Sequence, residues 1–169
     1  MRKHVLVAYG SKHESTAEIA ERVGERLREA GNAVDVLPAG SGVRVEDYDA
    51  VVVGGAVYMA RWHRDARRFL KRNRRWLAQH DLWLFSSGPV GKDDPKANAD
   101  RWTRPKFVEK MAERLHAHEH IVFGGRVPQD PHNFIERAML RDTPVEVQDR
   151  RDWQEIDNWG KRIGEALIG

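Results

Sequence analysis

The chain is predicted to be an α/β protein built on a doubly wound, five-stranded parallel sheet with helices on both faces, and three observations carry that reading. Short apolar runs recur at 5–9, 33–37, 50–55, 81–86 and 121–124, continuous rather than alternating, as strands buried on both faces are. Helix-length segments with apolar residues at helical spacing separate most of these runs. The first run breaks into small and hydroxyl residues immediately before a helix pattern begins, the strand–loop–helix unit that opens a βαβ fold.

Residues 5–9, Val-Leu-Val-Ala-Tyr, form the first strand. Ser15 and Glu18 have capping-box spacing, so the first helix is expected to begin near Ser15, with Ile19, Val23 and Leu27 facing inward. Gly31 stops it, and Pro38 closes the second strand. The β-branched run Val51-Val52-Val53 marks the third strand. A loop over 56–62 is expected next, then one helix over 63–78 with Ala66, Phe69, Leu70 and Leu77 inside. The fourth strand ends in Ser87, Gly88, Pro89, Val90 and Gly91, the polar stretch 92–104 reads as an exposed loop, and Pro105 opens a helix to about 115. After the fifth strand, 125–148 is irregular around a short helical piece at 134–140. Asp152 caps a final helix that buries Trp153, Ile156, Trp159, Ile163 and Leu167. Right-handed crossovers leave strand order 2-1-3-4-5 as the leading topology, with the ligand site at the switch point between strands one and three, where loops 10–15, 55–62 and 86–91 meet.

With 169 residues, one domain spanning 1–169 suffices. No apolar run approaches the roughly 20 residues of a membrane span, and the first strand starts without a leader pattern, so a cytoplasmic location is expected. The absence of cysteine excludes disulfides and thiolate chemistry. The net charge of +3 concentrates near one helix: Arg61, Arg64, Arg67, Arg68, Lys71, Arg72, Arg74 and Arg75 face a single acid, Asp65. This basic stretch is either a solvated helix face or a surface for an anionic substrate, an acidic partner or an anionic membrane. It lacks the motif or aromatic platform of a nucleic-acid binder, so none is expected. His116, His118 and His120 straddle a helix end and a strand start without a second cluster, so no metal is expected either.

The loop after the first strand points backbone N–H groups and a helix dipole at the sheet edge, an anion site that suits phosphate. Neither a Walker loop nor Gly-x-Gly-x-x-Gly occurs in the chain. What remains is Ser11, Ser15 and Thr16, and here the chain resembles the flavodoxin family, whose FMN phosphate loop reads Ser/Thr-x-Thr-Gly-x-Thr. Ser11 and Thr16 match, Lys12 and Ser15 fall on free positions, and His13 and Glu14 stand where the family has threonine and glycine. Tyr9-Gly10-Ser11-Lys12-His13, Gly54-Gly55-Ala56-Val57-Tyr58 and Val122-Phe123-Gly124-Gly125-Arg126, with Asp152-Trp153, are similar to the subgroup that includes menaquinone-dependent protoporphyrinogen oxidases.

The resemblance implies non-covalently held FMN and an oxidoreductase acting on a quinone or tetrapyrrole-like molecule. It implies that Ser11, Lys12, His13, Ser15 and Thr16 hold the phosphate. Tyr58 stacks on the flavin beside Ala56, Val57, Met59 and Trp62, and Ser87, Gly88, Pro89, Val90 and Gly91 border its pyrimidine edge; Arg126, His132 and Phe134 border substrate. Glu14 in the glycine position is expected to weaken FMN binding, through a strained backbone and through its charge. An electron carrier between protein partners and a scaffold that has lost FMN are the competing readings.

Overall fold

The structure is a computed structural model, and it describes residues 1–88 and 105–169. Its sheet has six strands: β1 (His4–Gly10), β2 (Ala33–Pro38), β3 (Ala50–Tyr58), β4 (Arg61–Trp62), β5 (Asp81–Ser87) and β6 (Glu119–Phe123). The main path runs β2-β1-β3-β5-β6, all parallel, and β4 folds back antiparallel on the end of β3. Counting parallel strands alone, this is the expected order.

Alternation along the strands divides the core into two layers. Leu6, Ala8, Val51, Val53, Leu82 and Leu84 face α2 (Arg64–Arg72), α3 (Arg74–Leu77) and α4 (Lys106–Arg114), meeting Ala66, Phe69, Leu70, Leu77, Val108 and Met111. Val5, Val7, Ala50, Val52, Phe85 and Phe123 face α1 (Glu14–Glu29) and α6 (Trp153–Ile168), meeting Ile19, Val23, Leu27, Ile156, Trp159 and Ile163. Each such apolar side chain removed from water contributes about 1.5–3 kcal/mol, which explains why both strand faces had to be apolar. α6 begins as expected, with the Asp152 carboxylate accepting from the Glu155 amide at 3.1 Å. Arg22 of α1 makes a bidentate pair with Asp157 of α6, at 2.6 and 2.8 Å, joining the two helices of that layer.

Four local expectations are corrected. α1 begins at Glu14, and its N-cap is His13 in extended backbone with no side-chain cap, so Ser15 is inside the helix. The stretch 56–62 is a hairpin of β3 and β4 rather than a loop, because Val57 pairs with Trp62 and Tyr58 with Arg61. The helix expected over 63–78 is interrupted at Asn73, whose backbone and side-chain amides both donate to the Phe69 carbonyl, at 3.1 and 3.0 Å. The helical piece in 125–148 extends over α5, Phe134–Asp142. The loop assigned to 92–104 lies outside the described residues.

Gly54 and Gly55, at the centre of β3, are required by packing. A Cβ on Gly54 would lie 2.0 Å from the Phe85 ring, and one on Gly55 would lie 2.4 Å from the Trp62 indole. Gly54→Ala is therefore expected to lower stability by about 1–3 kcal/mol through overpacking, read as a reduced midpoint in urea unfolding.

Candidate functional site

A cavity of about 540 Å³ opens at the carboxyl ends of β1, β3 and β5, where the order of strands reverses. Three of its walls were expected: Ser11, Lys12, His13, Ser15 and Thr16 from the β1–α1 turn; Ala56, Val57, Tyr58, Met59 and Trp62 from the hairpin; Ser87 and Gly88 from the end of β5. The fourth wall comes from the segment after β6, through Gly125, Arg126, Pro128, Ile135 and Met139. Pro89, Val90 and Gly91 lie outside the described residues. Of the residues assigned to the substrate border, Arg126 lines the cavity; Phe134 is 77% exposed and His132 packs its ring on His13 at 5.1 Å.

The turn into α1 is shaped by Ser11. Its hydroxyl donates to the His13 carbonyl and accepts from the His13 amide at 3.1 Å, so the side chain folds the loop on itself. The first-turn amides of α1 have no partner within the helix and no side-chain cap, leaving donors at the positive end of its dipole. Thr16 is fully buried, and among the described residues its Oγ1 has no hydrogen-bond partner. A buried hydroxyl left unpaired costs about 1–3 kcal/mol, so this atom marks a place where a polar ligand group fits.

Glu14 departs from expectation. It is the exposed first residue of α1, it does not line the cavity, and its φ is not positive. The strain argued from a glycine position is therefore absent, because the helix starts one residue earlier than the capping pattern implied.

The hairpin turns on Met59 and Ala60, with φ of 50° and 61°, the double left-handed conformation of a two-residue primed turn. Neither is glycine, and each costs roughly 1–2 kcal/mol there. The turn sets Tyr58, 40% exposed, and Met59, 76% exposed, at the cavity mouth. Trp62 is fixed behind them: its indole N–H donates to Ser86 Oγ at 2.7 Å, Ser86 Oγ meets His120 Nε2 at 2.7 Å, and His120 Nδ1 meets Glu109 at 2.8 Å. These contacts run in one chain from the Trp62 indole through Ser86 and His120 to Glu109. His118 instead pairs with Asp81 at 2.7 Å and stacks on Trp83, and among the described residues no three His, Asp or Glu side chains surround a common point.

Sequence reasoning missed Glu136. This carboxylate, 0% exposed, accepts from the His132 amide at 2.7 Å and lies 3.1 Å from His13 Nε2 and 3.5 Å from Lys12 Nζ. Burial pushes its pKa up, but the His132 amide, the His13 ring and the Lys12 charge outweigh it and hold the group at about 2. The local signal was Asn133, which caps α5 by accepting from the Glu136 amide at 2.9 Å. That spacing announces a helix start and is silent about a loop more than a hundred residues away. The cavity rim is cationic: Arg61, Arg64 and Arg126 line it, and Arg68, Lys71 and Arg72 continue along the exposed face of α2. His63, which also lines the cavity, has its pKa lowered by burial, and its Nδ1 accepts from the Asp65 amide at 3.3 Å as the cap of α2.

A doubly wound sheet with an uncapped helix N-terminus and an aromatic hairpin at its switch point defines the class of flavodoxin-like α/β proteins. The chain belongs to the flavodoxin domain family, whose model matches residues 6–152. Among solved structures it is similar to a flavodoxin from the domain Archaea (14% identity, TM-score 0.65, 98% of this chain and 99% of that one). It is also similar to a cysteine-to-serine variant of the flavodoxin from Pseudomonas aeruginosa (17% identity, TM-score 0.62, 98% and 99% covered). Rubredoxin oxygen:oxidoreductase from Desulfovibrio gigas matches at 14% identity and TM-score 0.62, over 98% of this chain but 36% of that one. No curated protein matches the chain.

Because Glu136 has its pKa depressed from 4.5 to about 2, its ionised form stabilises the fold above about pH 4.5, and that contribution fades as pH falls toward 2. Glu136→Gln is expected to cost on the order of 2–3 kcal/mol at neutral pH. In urea unfolding, the gap between wild type and variant should close as pH falls through that window.

Proposed function

We propose that the chain binds FMN and works as an FMN-dependent oxidoreductase. The observation that carries this reading is the unpartnered, buried Thr16 hydroxyl beneath the free amides of α1, in the same cavity as the Tyr58 ring. The donor set fits a terminal phosphate: backbone N–H groups, the Ser15 and Thr16 hydroxyls, and the Lys12 and His13 side chains. Tyr58 offers the aromatic face for an isoalloxazine ring, Trp62 and Met59 wall it, and Ser87 with Gly88 present a low-bulk edge to its pyrimidine side. When bound, FMN supplies a group that accepts and releases hydride or single electrons at N5; the chain's own residues bind it, orient it and limit the water around it.

A quinone or tetrapyrrole-like substrate is the finer reading, and the composition of the mouth is what supports it. Met59, Ile135 and Met139 present apolar surface there, with Arg61, Arg64 and Arg126 among them, a combination suited to a flat apolar molecule bearing anionic groups. The exposed arginines of α2 extend this surface toward an acidic redox partner or an anionic membrane. Among the described residues no helix is long and apolar enough to cross a membrane, so such contact would be peripheral. A second reading, an electron carrier between proteins, draws on the exposure of Tyr58 and Met59, which leaves the mouth open to a docked partner.

Titration of the purified protein with FMN is expected to give a flavin absorption band shifted on binding and quenched flavin fluorescence; an unchanged spectrum overturns the assignment. Thr16→Val is expected to weaken FMN about tenfold while leaving riboflavin affinity unchanged and raising the stability of the ligand-free protein by about 1 kcal/mol, since it removes an unpaired buried hydroxyl. Tyr58→Ala should weaken FMN and riboflavin alike by about tenfold, as loss of a stacking face predicts.

A further inference from the structure

Lys12, His13 and Glu136 close the β1–α1 turn against α5 and form a charge cluster of their own. Glu136 is buried and already holds the His132 amide, the His13 imidazole and the Lys12 ammonium. Glu136 and Lys12 cancel one another, so the net charge of the cluster is set by whether His13 carries a second ring proton. A phosphate dianion entering the adjoining cavity therefore meets, at the loop itself, side chains already committed to a buried carboxylate, while the cations Arg61, Arg64 and Arg126 line the rim. An imidazole is the side chain suited to correct that balance near neutral pH, and His13 both lines the cavity and bonds Glu136.

The groups facing His13 define what competes for the proton. Lys12 comes from its own loop, Glu136 from α5, and the His132 ring from the turn before α5 at 5.1 Å. His63 and Arg64 line the same cavity from the start of α2. Arg151 reaches the Ser15 carbonyl at 3.4 Å but is neutralised by Glu18 at 2.7 Å and Asp149 at 2.9 Å. None of these supplies an uncommitted positive charge directly against His13.

We propose that a phosphate-bearing ligand enters this loop together with one proton from solvent, which resides on His13 between the Glu136 carboxylate and the phosphate. The inference rests on the FMN reading of the cavity and adds to it a residue, Glu136, that belongs to no phosphate-loop pattern. One proton leaves hydronium or a buffer acid, whose bond to it breaks as the imidazole N–H bond forms, and no bond between heavy atoms changes. Because Glu136 sits on α5, and Ile135 and Met139 of the same helix line the cavity, loading the ligand strengthens the docking of α5, and the docked helix strengthens the hold on the ligand.

The test is a calorimetric titration of the whole protein with FMN near pH 7, in two non-phosphate buffers of different ionisation enthalpy. Proton uptake approaching one per FMN is expected, with affinity falling about tenfold between pH 6 and pH 8. His13→Gln should abolish most of the uptake and flatten the profile, His132→Gln should preserve both, and riboflavin should bind without the proton. FMN binding without uptake, or uptake that survives His13→Gln, overturns the proposal. Inorganic phosphate followed by imidazole NMR supplies a flavin-free arm, in which the protonated share of His13 is expected to rise as phosphate is added. If FMN fails to bind while phosphate still protonates His13, the flavin assignment falls and the proton coupling stands; if phosphate leaves His13 unchanged, the coupling falls.

Discussion

The carboxyl end of this sheet is organised by hydrogen-bond donors that the protein itself does not satisfy. β1 runs into α1 through a turn whose N-cap residue, His13, makes no side-chain cap, and the Ser11 hydroxyl is spent on folding the turn. Among the described residues the Thr16 hydroxyl finds no partner, and Thr16 borders the cavity together with Ser15 and His13. A buried hydroxyl without a partner costs about 1–3 kcal/mol, and the other walls of the cavity stand around this turn.

Two kinds of support hold the opposite walls. The hairpin wall is kept by strain and by a relay: Met59 and Ala60 adopt a conformation that glycine would take more cheaply, while Ser86, His120 and Glu109 tie the Trp62 indole to the interior. Left-handed non-glycine pairs persist where the surrounding structure over-determines them, and the ladder pairing of Val57 with Trp62 does so here. The α5 wall is kept by charge. A carboxylate without solvent contact survives there because a backbone amide, an imidazole and an ammonium converge on it, and removing any one partner leaves a buried charge only partly compensated. One wall is therefore held by packing and strand pairing, and the other by ion pairs and hydrogen bonds to a buried carboxylate.

Much of the architecture was legible in the sequence. Val51-Val52-Val53 could only be a buried strand, Asp152 followed by an apolar stripe could only open a helix, and both are found so. Within the cavity, residues of the β1–α1 turn, the β3 end and the β5 end were located by topology alone, since strands of a doubly wound sheet deliver their following loops to one edge. The errors were local and physical. Ser15 has the chemistry of a cap but lies one turn position too late, so Glu14 is an ordinary helical residue on the surface. The segment 56–62 lacks the glycine or asparagine that signals a two-residue hairpin, and the strand pairing that forms it comes from a tertiary preference stronger than the turn propensity.

The sequence by itself determined most strands and helices, how they are ordered, and which loops meet at the cavity, because those properties arise from periodicity and chain connectivity, which neighbours along the chain encode. Tertiary structure alone decided that Glu136 joins Lys12 and His13, and that Trp62 hangs from Ser86. Electrostatic and hydrogen-bond partnerships depend on distance in space; 123 residues separate His13 from Glu136 along the chain, and 3.1 Å separates their atoms in the fold.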